Sequence, residues 1–190
     1  VVSITQATEL GTVYSIDEIR SICDTAHSFD MRVHLDGARI SNATAALGGD
    51  AATFRAQTFG AGVDAVSFGG TKNGMFGAEV VLLRRGVASD RSGFIRKQNT
   101  QLPSKMRYVS AQFVEALTDN LWVETASHAN DMALRLYNAV SHLDSLQISS
   151  PTVNSLYPIL PVAVKDRLQA WNFFWDWDLS RSQVRWMTSW

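Results

Sequence analysis

The sequence is poor in several residue types, and each shortage excludes something. It holds one cysteine, Cys23, which rules out an intrachain disulfide framework and any multi-cysteine zinc site. Charge of neither sign dominates: 17 basic and 18 acidic side chains leave a formal net charge of −1 over 190 residues. No cationic footprint for nucleic acid or for an anionic membrane surface follows from that balance. No apolar run reaches the length of a membrane span or of a secretory leader, so the expectation is a soluble, cytoplasmic protein of a reducing compartment. Lysine is scarce as well, with only Lys72, Lys97, Lys105 and Lys165 against thirteen arginines. Hydrophobic residues at 46 % and charged residues at 18 % describe a folded globular chain, with six tryptophans and nine phenylalanines, several of them crowded toward the end.

Along the first half, strand and helix patterns alternate. Val1–Ile4 is a short β-branched run. Ser15 and Glu18 have capping-box spacing, and Ile19, Ile22, Cys23 and Ala26 recur at helical intervals, so residues 15–29 read as an amphipathic helix. Arg32–Leu35, Asp64–Phe68 and Glu79–Leu83 read as further strands, joined by helical or irregular crossovers. That order implies βαβ units and a mostly parallel or mixed sheet. From Ser104 to about His142 the pattern turns helical, with a break expected near Thr118–Asn120. Pro151, Pro158 and Pro161 then mark a change of organisation, followed by a helix over Val162–Trp171, the aromatic segment Trp171–Trp177 and a strand over Val184–Thr188. The chain divides accordingly into a sheet-bearing part of a large α/β domain (1–103), a long connecting helix (104–148) and part of a small α+β domain (149–190).

Ligands in open α/β sheets bind beyond the carboxyl ends of the strands. Two segments place ionisable groups at such ends: one carries Asp36 and Arg39, the other carries Lys72 among Gly69, Gly70, Gly74 and Gly77. A phosphate-cradling P-loop is excluded, because Thr71 precedes the lysine and Asn73 follows it. A G-x-G-x-x-G dinucleotide fingerprint is absent from the turns. A Schiff-base lysine needs only an amine in a cofactor pocket and an acidic partner for a pyridinium nitrogen, and Asp36 is a candidate partner. The residues alone leave a plainer alternative open, with Asp36 and Arg39 as a structural ion pair and Lys72 as a loop lysine.

The strings HLDGARISNA, SFGGTKNGMFGAEVVLL and RKQNTQLPSKMRYVSAQ closely resemble the threonine aldolase family, within the aromatic amino acid β-eliminating lyases and threonine aldolases. The opening SITQATELGTVYS and the closing VRWMTSW are similar to that family too. The resemblance implies a pyridoxal 5'-phosphate (PLP) enzyme of fold type I, like aspartate aminotransferase, present as a partial large domain plus part of a small one. It also implies roles. Lys72 would carry PLP covalently, and Asp36 would hold a proton at the pyridine nitrogen. Arg39 would reach the cofactor or the substrate carboxylate, and Arg185 would bind that carboxylate. The implied reaction is retro-aldol cleavage of a β-hydroxy-α-amino acid, such as L-threonine or L-allo-threonine, to glycine and an aldehyde. A β-eliminating lyase acting on an aromatic amino acid is the rival enzyme, and an inactive remnant serving as a binding module is the rival of another class. Family members assemble as dimers or tetramers, so a homo-oligomer is expected, with no nucleic acid, membrane or metal partner. They are also nearly twice as long, which suggests a chain truncated at its N-terminus, with weak PLP binding and an uncovered apolar sheet face or edge.

Several residues carry quieter expectations. His34 is expected on the face opposite Asp36, packed or hydrogen-bonded. Glu9 and Thr12 sit in a strand-end loop, either contacting cofactor or shaping a turn. Lys105 and Arg107 are expected on a solvated or interface face at the start of the long helix. His27, His128 and His142 lack metal-ligand spacing. Cys23 reads as a buried hydrophobe, and the Trp171–Trp177 cluster as small-domain core or subunit contact.

Overall fold

A computed structural model describes all 190 residues. Strand β1 (Val2–Thr5) leads through a loop to helix α1 (Ile16–Ser28). The helix starts where expected: Ser15 Oγ accepts from the Glu18 backbone N–H at 3.2 Å, and Glu18 Oε2 accepts from the Ser15 N–H at 2.7 Å. Those same hydrogen bonds, the backbone one foremost, hold the Glu18 carboxyl below its ordinary pKa. The helix buries Ile19, Cys23 and Ala26, one face at intervals of four and three.

Strand β2 (Val33–Gly37), helices α2 (Ile40–Leu47) and α3 (Ala51–Gln57), and strands β3 (Ala65–Gly69) and β4 (Glu79–Leu83) complete a four-stranded sheet in the order β1-β2-β3-β4. The first three strands are parallel and β4 returns antiparallel, so the sheet is mixed. Val33, Leu35, Val66 and Phe68 face a core shared with Ile19 and Cys23. An aromatic group closes that core, with Phe68 centred 5.5 Å from Phe54 and 5.7 Å from Trp122 in edge-on geometry.

After the exposed helix α4 (Ser92–Gln98) come α5 (Arg107–Leu117) and α6 (Leu121–Val140). Their junction falls at the anticipated Thr118–Asn120, where Asp119 and Asn120 take φ of 50° and 60°. Along α6, Ala126, Ala129 and Ala133 are buried, letting α2 approach closely. Asn42 and Asn130 tie these two helices by reciprocal hydrogen bonds of 3.1 and 3.0 Å. Strand β5 (Ser155–Leu156), helix α7 (Val162–Trp171), and strands β6 (Trp175–Asp178) and β7 (Gln183–Met187) form a second, antiparallel sheet ordered β5-β7-β6. It meets the first unit through Val153, which packs with Ala7 and Ala43. No helix is long and apolar enough to cross a membrane.

One expectation about side-chain placement is corrected. His34 and Asp36 lie two residues apart in β2, so the strand's period of two puts them on the same face, opposite the buried Val33, Leu35 and Gly37. There His34 is hydrogen-bonded, as anticipated: Nδ1 pairs with Ser3 Oγ and Nε2 with Ser67 Oγ, both at 2.9 Å. In the aromatic segment, Trp171 and Trp175 are 86 % and 63 % exposed, so of the two expected roles, small-domain core or subunit contact, they do not fill the first. The other face of this sheet is uncovered, but its apolar part is confined to Ala65 and to Val81 and Leu83 at the β4 edge; Ser3, His34 and Ser67 make its centre polar.

The amino ends of the strands are locked by Asp64, which is 1 % exposed. Its Oδ2 accepts from the Val33 N–H at 2.9 Å and faces His27 Nε2 at 2.8 Å, while Arg32 reaches Oδ1 at 3.3 Å. Burial pushes this carboxyl's pKa up, but the Val33, His27 and Arg32 interactions outweigh it and hold it below the usual aspartate value.

Candidate active site

The carboxyl ends of β1, β2 and β3 lie side by side at the opposite edge of the sheet, and each continues into a segment carrying a polar group. The β1 loop is held shut by Gln6. Its buried side chain donates to the Tyr14 carbonyl and accepts from the Tyr14 N–H, both at 3.0 Å, and donates to Gln57 Oε1 at 3.1 Å. Within the loop, Thr8 and Thr12 close a turn through their hydroxyls at 2.6 Å and their backbones at 2.9 Å. Thr12 is therefore a turn former. Gly11, at φ +73°, is required there, because a Cβ would stand 2.3 Å from Ser155 Oγ.

At the end of β2, Asp36 Oδ1 accepts from the Ala38 N–H at 3.0 Å, which orients the carboxylate and leaves its second oxygen with no protein partner. The β2 and β3 ends touch at the backbone: a Cβ on Gly69 would lie 2.8 Å from Ala38. Beyond β3, a single 3-10 turn, Thr71–Asn73, carries Lys72. Its neighbour Asn73 is the anchor, donating to the Trp122 carbonyl at 2.8 Å and accepting from Thr125 Oγ1 at 3.2 Å. Lys72 itself is exposed and forms neither ion pair nor hydrogen bond. Asp36 and Lys72 thus occupy the ends of adjacent parallel strands, while an Asp36–Arg39 ion pair does not form.

Arg39 instead turns toward Glu9, with Nη1 4.0 Å from Oε1. Arg185, from the second sheet, places Nη1 3.6 Å from Oε2 of the same side chain. Two guanidinium groups from different sheets therefore converge on one carboxylate. Arg185 also lies 5.7 Å from the centre of the Trp177 ring, and that ring meets Tyr157 edge-on at 5.0 Å. The Tyr157 hydroxyl donates to the Glu9 main-chain carbonyl. Burial raises the Tyr157 pKa, partly opposed by a Ser155 hydrogen bond and by the two arginines, so the phenol remains a donor. Tyr157 stands in no sequence motif, and Trp177 is legible only within the Trp171–Trp177 cluster, as core or subunit contact; the docking of the second sheet brings both to the β1 loop. No group of three or more His, Cys, Asp or Glu side chains is placed to hold a metal ion.

Residues 1–160 match the family model described as beta-eliminating lyase. The chain belongs to this family. Among curated beta-eliminating lyase relatives, it is 37 % identical to the low specificity L-threonine aldolase of Pseudomonas sp. (strain NCIMB 10558), over 97 % of this chain and 57 % of that protein. It is also 37 % identical to the enzyme of the same name from Pseudomonas aeruginosa, over 100 % and 54 %. The chain thus spans about half the length of the curated relatives it matches. Among solved structures, a threonine aldolase of Leishmania major superposes with TM-score 0.88 at 26 % identity, over 100 % of this chain and 55 % of the other. An aspartate aminotransferase of Rhodobacter sphaeroides gives TM-score 0.64 at 17 % identity, over 96 % and 51 %. The fold is accordingly the fold type I arrangement of these enzymes, with this chain covering about half of it.

Proposed function

We propose that this beta-eliminating lyase family member is a PLP-dependent aldehyde-lyase that cleaves a β-hydroxy-α-amino acid to glycine and an aldehyde. The observation that carries the reading is the convergence of Arg39 and Arg185 on a single carboxylate, beside the adjacent strand ends that bear Asp36 and Lys72. The likeness to two low specificity L-threonine aldolases supports the aldol reaction as the reading over β-elimination.

The residues fit the cofactor. Asp36 offers one unpartnered carboxylate oxygen, Lys72 an exposed amine with no ion pair, and Arg185 a buried Nε with no hydrogen-bond partner. When bound, PLP supplies a conjugated, protonated pyridine ring that accepts the electron pair released as the substrate Cα–Cβ bond breaks. Lys72 would hold the group through its amine. Asp36, oriented by the Ala38 N–H, would keep the proton on the ring nitrogen. Arg39 and Arg185 would take the α-carboxylate, a geometry that suits paired guanidinium donors, and so orient the substrate. His34 is not placed to take the β-hydroxyl proton, because both its ring nitrogens are engaged by Ser3 and Ser67. Assembly as a homo-oligomer belongs to the same proposal.

Borohydride reduction in the presence of PLP, followed by peptide mapping, tests the reading. Label on Lys72, with glycine and acetaldehyde formed from L-allo-threonine, is the expected result. Pyruvate and ammonia from an aromatic amino acid would favour β-elimination instead. Absence of label on Lys72 would overturn the proposal in favour of a non-catalytic remnant.

A further inference from the structure

The carboxylate between the two arginines belongs to the protein itself. Glu9 stands 4.0 Å from Arg39 and 3.6 Å from Arg185, outside the 2.7–2.9 Å of a formed charge-assisted hydrogen bond. Its side chain is 61 % exposed, whereas those of Arg39 and Arg185 are 14 % and 21 % exposed. The sheltered cations are therefore neutralised only loosely, by an exposed carboxylate. Arg185 Nε has no acceptor, and the Trp177 ring lies against the same guanidinium. The Glu9 backbone, by contrast, is fixed by the Tyr157 hydroxyl and the turn closed by Thr8 and Thr12. Anchored main chain and free side chain together make a group that can leave without disturbing the loop.

We propose that Glu9 is an internal placeholder: it occupies the carboxylate position between Arg39 and Arg185 and yields it to an incoming monocarboxylate. This inference rests on the reading of the arginine pair as a carboxylate site. Bare anions must displace Glu9 before they bind, so the residue sets a threshold against weak, non-cognate carboxylates. Once displaced, its negative charge stays beside the site, where it favours a ligand that carries an ammonium group next to its carboxylate.

Acetate serves as the probe, titrated at low ionic strength while the Trp177 indole N–H is followed by NMR. Glu9→Gln is expected to tighten acetate binding about fivefold, the scale of two partly exposed ion pairs. Arg185→Gln is expected to abolish binding, and the double variant to behave like Arg185→Gln alone. Asp30→Asn makes the same charge change at the far end of α1 and is expected to leave binding unaltered. Unchanged or weaker binding in Glu9→Gln, or equal tightening in Asp30→Asn, would overturn the placeholder role while leaving the arginine site standing. Acetate binding that survives Arg185→Gln would overturn the arginine-pair reading itself, and the placeholder with it.

Discussion

Replacing Asp64 by Ala removes the acceptor that joins three elements at the amino ends of the strands. The Val33 N–H, buried and bonded to Oδ2 at 2.9 Å, is then left without a partner, which costs about 1–3 kcal/mol. The contact with His27, whose side chain is 31 % exposed, adds roughly 1 kcal/mol. Arg32 and Arg84 are 65 % and 46 % exposed and regain water, so their loss contributes close to nothing. The sum is about 3 kcal/mol, or a fall in Tm of roughly 6–12 °C for a chain of this size. Urea unfolding of wild type, Asp64→Ala and Asp64→Asn over a range of pH measures it. The sign follows from the depressed folded-state pKa. Stability from the carboxylate is complete above the ordinary aspartate value of about 3.9 and is lost as pH falls below it through the folded pKa. The margin of wild type over Asp64→Asn should therefore shrink in acid. A loss below 1 kcal/mol in Asp64→Ala, or a margin that grows in acid, would refute the reasoning.

Three further outcomes are expected. Gly11→Ala should destabilise the chain by about 1–2 kcal/mol in urea titration, because a Cβ at φ +73° meets Ser155 Oγ; an unchanged midpoint would contradict the close approach. Cys23 is fully buried, and burial, with Asp64 next in effect, pushes its thiol pKa up to about 11. It should resist a thiol-specific disulfide reagent at pH 8 until denaturant is added, and rapid labelling of the native protein would count against that packing. Asn73→Ala removes the 2.8 Å donor to the Trp122 carbonyl, which keeps the Thr125 hydroxyl at 3.2 Å, so the loss should be about 0.5–1.5 kcal/mol. It should also lower borohydride capture of PLP at Lys72; capture at the wild-type level would show that the anchor does not position the lysine.

Local patterning made much of the large unit legible. The capping box at Ser15 and Glu18, the β-branched runs at β1 and β4, and the polar break at Thr118–Asn120 each write their structure into a few adjacent residues. Helices α2 and α3 fall in crossovers that the pattern leaves open as helical or irregular. The first begins directly after Arg39 with no capping side chain, and the second is only seven residues long, with Asp50 accepting from the Thr53 N–H as its single signal. The placement of His34 went astray on a count of register, since positions two apart in a strand share a face. For the site, the strand-end positions of Asp36 and Lys72 followed from pattern. The meeting of Arg39, Arg185 and Glu9 did not, because it depends on how the second sheet docks, and no local motif encodes that.

In the proposed site, the residues assigned to act and those that anchor them are separated along the chain. Glu9 is exposed and loosely paired, but three residues earlier Gln6 is fully buried and spends every polar atom on Tyr14 and Gln57. Lys72 is exposed and unpaired, and the next residue, Asn73, is buried and bonded to α6 through both ends of its amide. Asp36 keeps one oxygen free while the other is tied to the backbone two residues on. A side chain that must exchange partners with a ligand cannot itself be held by the protein, so its position has to come from the main chain. Buried amides one and three residues away, and for Asp36 a backbone N–H, supply that positioning without occupying the groups proposed to act. The Asp64 lock belongs at the other end of the sheet for the same reason: full satisfaction of a charged group stabilises the fold there, and at the strands' carboxyl ends it would remove the capacity to bind.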